Sequence, residues 1–136
     1  FDLEVSNYSE GTRMDPTGLT YTIQVDITPK PAARPRFSSK GRVYNDPSYK
    51  AWLKDFADLV REQWDNDVLQ RISHMDITIN GTTRRGDLDN HAKSILDGLV
   101  YAKVIRNDNL AVLDSLNLSF LKVEDEKPWI KIKIHL

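Results

Sequence analysis

The sequence contains no cysteine among its 136 residues. This absence excludes disulfide bonds, thiolate zinc sites and a cysteine nucleophile. The absence of cysteine is compatible with a reducing compartment, and we expect a cytoplasmic protein.

Long apolar runs are absent as well. No run approaches the roughly 20 residues that a membrane-spanning helix needs. No signal peptide is visible at the amino-terminal end. We therefore expect no membrane partner.

Two common kinds of catalytic motif are also missing. The sequence has no glycine-rich phosphate-binding loop and no Gly-x-Ser-x-Gly nucleophile motif. We therefore expect no small-molecule cofactor. The three histidines, His74, His91 and His135, are not spaced as metal ligands, and we interpret His91 as a bystander.

The composition is that of a globular domain with a real core, since 40% of the residues are hydrophobic and 29% are charged. The net charge of -1 by itself argues against a nucleic-acid partner. The charge is unevenly distributed along the sequence, however, because the stretch from Lys30 to Lys50 contains six basic residues and a single acid, Asp46. The sequence therefore allows a locally positive face on a nearly neutral protein.

Hydrophobic periodicity predicts an α+β fold, a small mixed β-sheet with two helices packed on one face, in the order β-loop-α-β-α-β-β. The predicted strands cover residues 19–27, 73–79, 115–120 and 130–136, and the helices run from 47 to about 65 and from 89 to about 102. We expect the last two strands to form an antiparallel hairpin. Residues 1–18 are predicted to be a poorly ordered arm, and residues 19–136 a single domain.

The stretch from Pro29 to Pro47 holds four prolines and Gly41, a composition that predicts no regular element. Its basic residues, with Phe37 and Tyr44, suit contact with a polyanion. Two interpretations remain open at this point. The stretch is either a binding loop or a mobile, solvated loop with incidental charges.

Asp87 and Asp89 form the most informative pair, with Arg84 and Arg85 before them and Lys93 after them. Residues two apart converge in an extended chain but not in a helix. We therefore predict that the helix starts at or just after Asp89, with Asp89 as its N-cap. Lys93 either pairs with Asp89 one turn away or reaches a phosphate.

A third acid, Asp108, can return to the helix start if the strand that follows it pairs beside the strand ending at Ile79. Three converging carboxylates would repel one another unless a cation lay among them. Mg²⁺ prefers carboxylate oxygens and activates water for attack on a phosphodiester. An Asp-x-Asp pair is weak evidence, so a helix cap with surface charges remains open.

The segment Asp87-Leu88-Asp89-Asn90-x-x-Lys93-x-x-x-Asp97, followed by Val104-Ile105-x-Asn107-Asp108, resembles the RusA family of Holliday junction resolvases. Pro31-x-x-Arg34-Pro35-Arg36 and Gly41-Arg42-Val43-Tyr44 extend the resemblance over roughly residues 19–136. The resemblance implies a Mg²⁺-dependent endonuclease, with Mn²⁺ as a substitute. It also implies a homodimer that nicks four-way DNA junctions symmetrically in DNA recombination or repair, often encoded by phages or prophages.

Carried over residue by residue, the resemblance makes Asp87, Asp89 and Asp108 the metal-binding catalytic acids and Lys93 the essential lysine. Asn90 and Asp97 match supporting positions. The residues expected to contact DNA are basic: Arg34, Arg36, Lys40, Arg42, Arg84 and Arg85. The sequence departs from the family pattern at Gly86, where relatives often have a basic residue, and at Asn107, where many have an acid.

Two alternatives to junction resolution remain open. One is a metal nuclease acting on flaps or other branched DNA. The other is a non-catalytic DNA-binding module whose acids only cap a helix.

Overall fold

The computed structural model describes residues 19–33, 46–82, 84, 86–122 and 126–136, and the backbone of 36–37 and 43–44. The predicted arm, residues 1–18, lies outside these ranges. Within them, neither helix is long and apolar enough to cross a membrane.

A four-stranded sheet forms the centre of the fold, and its strands are joined to two helices and two very short strands. The elements in chain order are β1 (Thr20–Val25), β2 (Arg36–Phe37), β3 (Val43–Tyr44), α1 (Pro47–Arg61), β4 (His74–Asn80), α2 (Leu88–Tyr101), β5 (Leu116–Leu121) and β6 (Trp129–His135). The sheet order is β1-β6-β4-β5. Strands β4 and β5 are parallel, and the other pairs are antiparallel. The predicted α+β class and order of elements are confirmed.

The predicted hairpin between the last two strands is wrong. Strand β6 lies between β1 and β4, with Ile132 opposite both Ile23 and Ile77. Periodicity shows which face of a strand is buried but not which strand lies beside it. The isoleucines of β6 are completely buried, as a central strand requires, whereas β5 is largely exposed, as an edge strand can be.

The Pro29–Pro47 stretch does contain regular structure, so that prediction is also wrong in part. Strands β2 and β3 pair antiparallel, with Arg36 opposite Tyr44 and Phe37 opposite Val43. Strands of two residues are too short to produce a detectable alternation, and the prolines dominate the pattern.

Helix α1 begins where its sequence predicts. Asp46 is the N-cap, Pro47 is the first helical residue, and the Asp46 carboxylate accepts a hydrogen bond from the Ser48 backbone N–H at 2.9 Å. Its apolar face, which includes the fully buried Phe56, packs toward the sheet and α2. The helix ends at Arg61, slightly earlier than predicted.

The two helices approach closely on one face of the sheet. A side chain at Gly98 of α2 would collide with the Phe56 ring of α1. This approach fixes α2 against α1. In the described part of the chain, no helix covers the other sheet face, where Thr78 of β4 and Lys131 and Lys133 of β6 lie.

Candidate functional site

Helix α2 follows β4 in the chain: β4 ends at Asn80, and α2 begins at Leu88. Asp87 is its N-cap, with extended backbone angles (φ -91°, ψ 145°), and Leu88 is its first residue. The prediction that Asp89 caps the helix is therefore wrong: Asp89 lies inside the first turn. Both aspartates are good N-cap residues, and local sequence does not decide between two candidates two positions apart.

The carboxylates of Asp87 and Asp89 are both exposed at this helix start. Asp87 makes no side-chain capping hydrogen bond. The Asp89 carboxylate accepts a hydrogen bond from the adjacent Asn90 backbone N–H at 3.0 Å. The positive end of the helix dipole favours negative charge here. The helix start therefore presents accessible, hard oxygen donors of the kind that Mg²⁺ prefers.

Lys93 connects this helix to the third predicted acid. Its ammonium donates to the Asp108 carboxylate at 2.9 Å and lies 3.1 Å from an Asp97 carboxylate oxygen. Strand β5, which follows Asp108, pairs with β4, and Asp108 reaches Lys93. Among the described residues, Asp108 does not form a ready-made group of three acids with Asp87 and Asp89. The hydrogen bonds to Asp108 and then Asp97 raise the pKa of Lys93 above its ordinary value, which favours the charged form.

Tyr49 extends this network from α1. Its hydroxyl donates to the second carboxylate oxygen of Asp97 at 2.7 Å. Burial, and next the hydrogen bond to Asp97, raise the pKa of Tyr49 above its ordinary value. No local spacing in the sequence indicates a role for Tyr49 in the site, because its contact with α2 depends on how the two helices pack.

These groups line a cleft of about 620 Å³, which we call the Lys93 cleft. Its polar lining includes Tyr49, Lys50, Lys93, Asp97, Asn107 and Asp108. Ala32 and Ala33 also line it. The cleft is wide enough to admit water and ions to the lysine and its two carboxylates.

The proline-rich stretch is attached to the start of α2. The Ala32 backbone N–H donates to the Asn90 carbonyl at 2.9 Å. Pro31 packs over Gly86, where an added Cβ would lie 3.2 Å from the proline ring. Gly86 also has a φ of +84°, a conformation that glycine adopts without strain. These constraints explain why this position carries no basic side chain here.

Arg84 is exposed, three residues before the N-cap Asp87. Its guanidinium lies 5.2 Å from the centre of the Phe120 ring, a cation–π distance. A smaller cleft of about 210 Å³ is lined by Arg84, Gly86, Leu88, His91 and Phe120. His91 is buried beside Phe120, with 6.3 Å between the ring centres. Arg84 is therefore accessible to an anionic partner near Asp87.

The other basic residues predicted to contact DNA are not placed by the structure. Arg34, Lys40, Arg42 and Arg85 lie outside the described residues, and Arg36 is described by its backbone alone. Their contact with DNA stays a prediction.

The donor set suits a hard cation, since all three predicted ligands are carboxylates. In the described part of the chain, no group of three or more His, Asp or Glu side chains is already arranged to hold a metal ion. The ammonium of Lys93 occupies one oxygen of Asp108. The assignment of Asp87, Asp89 and Asp108 as ligands stays a prediction.

Comparison with known proteins adds independent information about this chain. Residues 26–135 match the family described as Endodeoxyribonuclease RusA. The chain is also similar to the Crossover junction endodeoxyribonuclease RusA of Aquifex aeolicus (strain VF5). The identity is 34% over 95 residues, which cover 69% of this chain and 73% of that relative. The family match includes both helices and every acid of the candidate site.

Proposed function

The chain belongs to the RusA family of endodeoxyribonucleases, and from this premise we propose that it is a Mg²⁺-dependent nuclease that cuts four-way DNA junctions. The observation that carries the proposal is the start of α2. Both of its aspartates are exposed, Asp87 makes no side-chain capping hydrogen bond of the kind that Asp46 makes in α1, and Lys93 follows on the same helix. The name of the Aquifex relative supports a crossover junction as the substrate.

Asp87, Asp89 and Asp108 would hold the metal ion, and Mn²⁺ would substitute for Mg²⁺. When bound, the ion activates water and stabilises the leaving oxygen of a phosphodiester. Water adds to phosphorus and one P–O bond breaks, which leaves a phosphate monoester and a hydroxyl group. Lys93 and Arg84 provide positive charge for the extra negative charge of the transition state.

Asn90 and Asp97, the two supporting residues, contribute by contacting other parts of the site. Asn90 receives the Ala32 N–H on its carbonyl and so attaches the basic Pro29–Pro47 stretch to the helix start. Asp97 contacts Lys93. Arg84 and the basic residues of that stretch would bind the phosphate backbone, because junctions are recognised by shape and backbone more than by base sequence.

A four-way junction has two symmetric strands to cut, so paired cutting needs two copies of the site. We propose that the protein acts as a homodimer. Light scattering at micromolar concentration, with and without junction DNA, tests this part. A monomer under both conditions would rule out paired cutting by a dimer.

The activity is tested by incubation with Mg²⁺ or Mn²⁺ and a panel of four-way junction, flap, fork and linear duplex DNA. We expect symmetric nicks in the junction and none without metal. A preference for flaps or forks would make the protein a metal nuclease for other branched DNA. Metal-independent binding without any cutting would make it a DNA-binding module and refute the proposal.

Binding to junction DNA should also be sensitive to salt. The net charge is -1, so only a local basic surface attracts DNA. Each phosphate contact adds to the salt dependence of the association constant. We expect the affinity measured by gel shift to fall steeply as the salt concentration rises.

A further inference from the structure

We propose that Asp97 and Tyr49 are positioning residues, which keep the Lys93 ammonium in its cleft when a divalent cation takes the Asp108 carboxylate. The inference rests on the proposed function. It gives Asp97 a specific role and adds Tyr49, a residue of the other helix, to the site.

Lys93 contacts two carboxylates, Asp108 and Asp97, and we expect a bound divalent cation to affect them differently. Asp108 is a predicted metal ligand, so a divalent cation would compete with the ammonium for its oxygens. Asp97 is not among the predicted metal ligands, and its oxygen lies 3.1 Å from the ammonium. A lysine side chain is long and flexible, so it needs a remaining partner to stay near the reacting phosphate.

Tyr49 fixes the orientation of the Asp97 carboxylate, which contacts Lys93. The Tyr49 hydroxyl occupies one Asp97 oxygen at 2.7 Å, which leaves the other oxygen to face Lys93. The hydroxyl is anchored because Tyr49 is buried, with 7% of its surface exposed. The raised pKa of Tyr49 keeps its proton on the oxygen, so it remains a donor at neutral pH.

Helix α1 contains a matched pair that lacks this support. Lys54 and Asp58 have the same i, i+4 spacing, with 3.0 Å between ammonium and carboxylate. Their side chains are 67% and 50% exposed, whereas those of Lys93 and Asp97 are 54% and 30% exposed. Arg61, at 3.7 Å, is the second cation near Asp58. The α1 pair is an ordinary surface ion pair and serves as the control.

The first test observes the lysine directly, without any nuclease assay. NMR of the lysine ammonium groups is recorded with and without Mg²⁺ for the native chain, Asp97→Asn and Asp58→Asn. We expect the Lys93 signal to persist in Mg²⁺ in the native chain and in Asp58→Asn. In Asp97→Asn it should persist without Mg²⁺, through Asp108, and disappear with it. Persistence in both states of Asp97→Asn would overturn the inference.

The second test separates positioning from binding. Asp97→Asn should lower kcat for junction cutting by about 10- to 100-fold, the usual range for groups that support a metal-site residue. KM and junction affinity should stay close to the native values. Tyr49→Phe should have a smaller effect in the same direction, and Asp97→Glu should recover part of kcat. Asp58→Asn should leave both constants unchanged.

A merely structural role for Asp97 would give a different result. It would lower the melting temperature and the fraction of active enzyme without a Mg²⁺-dependent loss of the Lys93 signal. If the native chain neither binds Mg²⁺ nor cuts DNA, the proposed function fails and this inference fails with it. If the native chain binds and cuts while Asp97→Asn behaves identically, only this inference fails.

Discussion

The two helices begin in the same way but use their first aspartate differently. Asp46 and Asp87 are both N-caps with extended backbone angles. The Asp46 carboxylate accepts hydrogen bonds from the Ser48 backbone N–H at 2.9 Å and from the Ser48 hydroxyl at 2.8 Å. The Asp87 carboxylate makes no capping hydrogen bond. One aspartate stabilises its helix, and the other remains available for a different task.

This difference has an energetic meaning. A capping side chain is worth about 1 kcal/mol to a helix. Helix α2 does without that contribution from Asp87, although the residue is in the right position to supply it. Departures from a local stabilising rule occur most often at functional sites. The comparison therefore supports a role for Asp87 outside the helix itself.

The largest expected difference is between the cutting rates of two variants in which an N-cap aspartate, Asp87 or Asp46, is replaced by asparagine. Asparagine caps a helix as well as aspartate does, so Asp87→Asn and Asp46→Asn should leave the free energy of unfolding nearly unchanged. If Asp87 holds the metal, Asp87→Asn should lower the rate of junction cutting by on the order of 10³-fold or more. Single-turnover cutting rates measure this, and Asp46→Asn is the control. Equal rates in the two variants would remove the distinction between the caps.

Replacing Gly86 disturbs the start of α2 while leaving α1 intact. Gly86→Ala places a Cβ at a φ of +84° and 3.2 Å from Pro31. We expect a loss of about 1 to 3 kcal/mol in the free energy of unfolding. Urea denaturation measures the loss, and Thr82→Ala, at an exposed position of the same loop, should stay within about 0.5 kcal/mol of the native chain. A neutral Gly86→Ala would contradict the described packing of Pro31.

Removing the cap of α1 should have a smaller effect. Asp46→Ala deletes the hydrogen bond to the Ser48 N–H, and we expect a loss of about 1 kcal/mol in the free energy of unfolding. Asp87→Ala should cost less, because Asp87 makes no capping hydrogen bond. Thermal or urea unfolding of both variants gives the comparison. A larger loss for Asp87→Ala would show that its side chain does cap α2 in solution.

The smallest expected effect is that of Asp76, a carboxylate on the sheet face that lies away from the two helices, on the free energy of unfolding. Partial burial raises the pKa of Asp76, but hydrogen bonds from His74 at 2.8 Å and His135 at 3.0 Å outweigh this and hold it below the ordinary value of 3.8. The stability from this group is therefore full above the unfolded pKa and is lost as the pH falls through the lowered folded pKa.

The Asp76 prediction is tested by measuring the free energy of unfolding as the pH is lowered from neutral into the acid range. The native chain should lose more stability than Asp76→Asn. The difference will be modest, since the Asp76 side chain is 39% exposed and solvent screens its interactions. Parallel pH curves for the two proteins would contradict the lowered pKa.

Much of the fold follows from local patterns in the sequence. The alternation in β1, β4, β5 and β6 and the cap at Asp46 were correctly predicted, because each depends on residues close in sequence. The position of β6 inside the sheet was not, because strand neighbours are chosen by the packing of the whole sheet. The N-cap of α2 was predicted two residues too late, at Asp89 instead of Asp87, because aspartate is an equally good cap at either position.

In the candidate site, too, the sequence indicates which contacts between nearby residues are possible, whereas contacts between distant residues cannot be predicted. The sequence analysis offered Asp89, four residues before Lys93, as the local ion-pair partner, whereas in the structure Lys93 pairs with Asp97, four residues after it. The i, i+4 spacing is the same on both sides, so it does not decide between the two acids. The approach of Tyr49 to Asp97 spans 48 positions and arises only when α1 packs on α2. The contact of Lys93 with Asp108 depends on the chain returning beside β4. Long-range contacts of this kind leave no periodic signal.

The proposed nuclease site is tested most directly by Mg²⁺-dependent cutting of a four-way junction by the native chain and by Asp89→Asn. We expect symmetric cutting by the native chain and none by the variant. We also expect the variant to bind the junction at least as tightly, because the substitution removes a negative charge near the DNA backbone. Cutting that persists in Asp89→Asn would contradict the assignment of this helix start as the nuclease site.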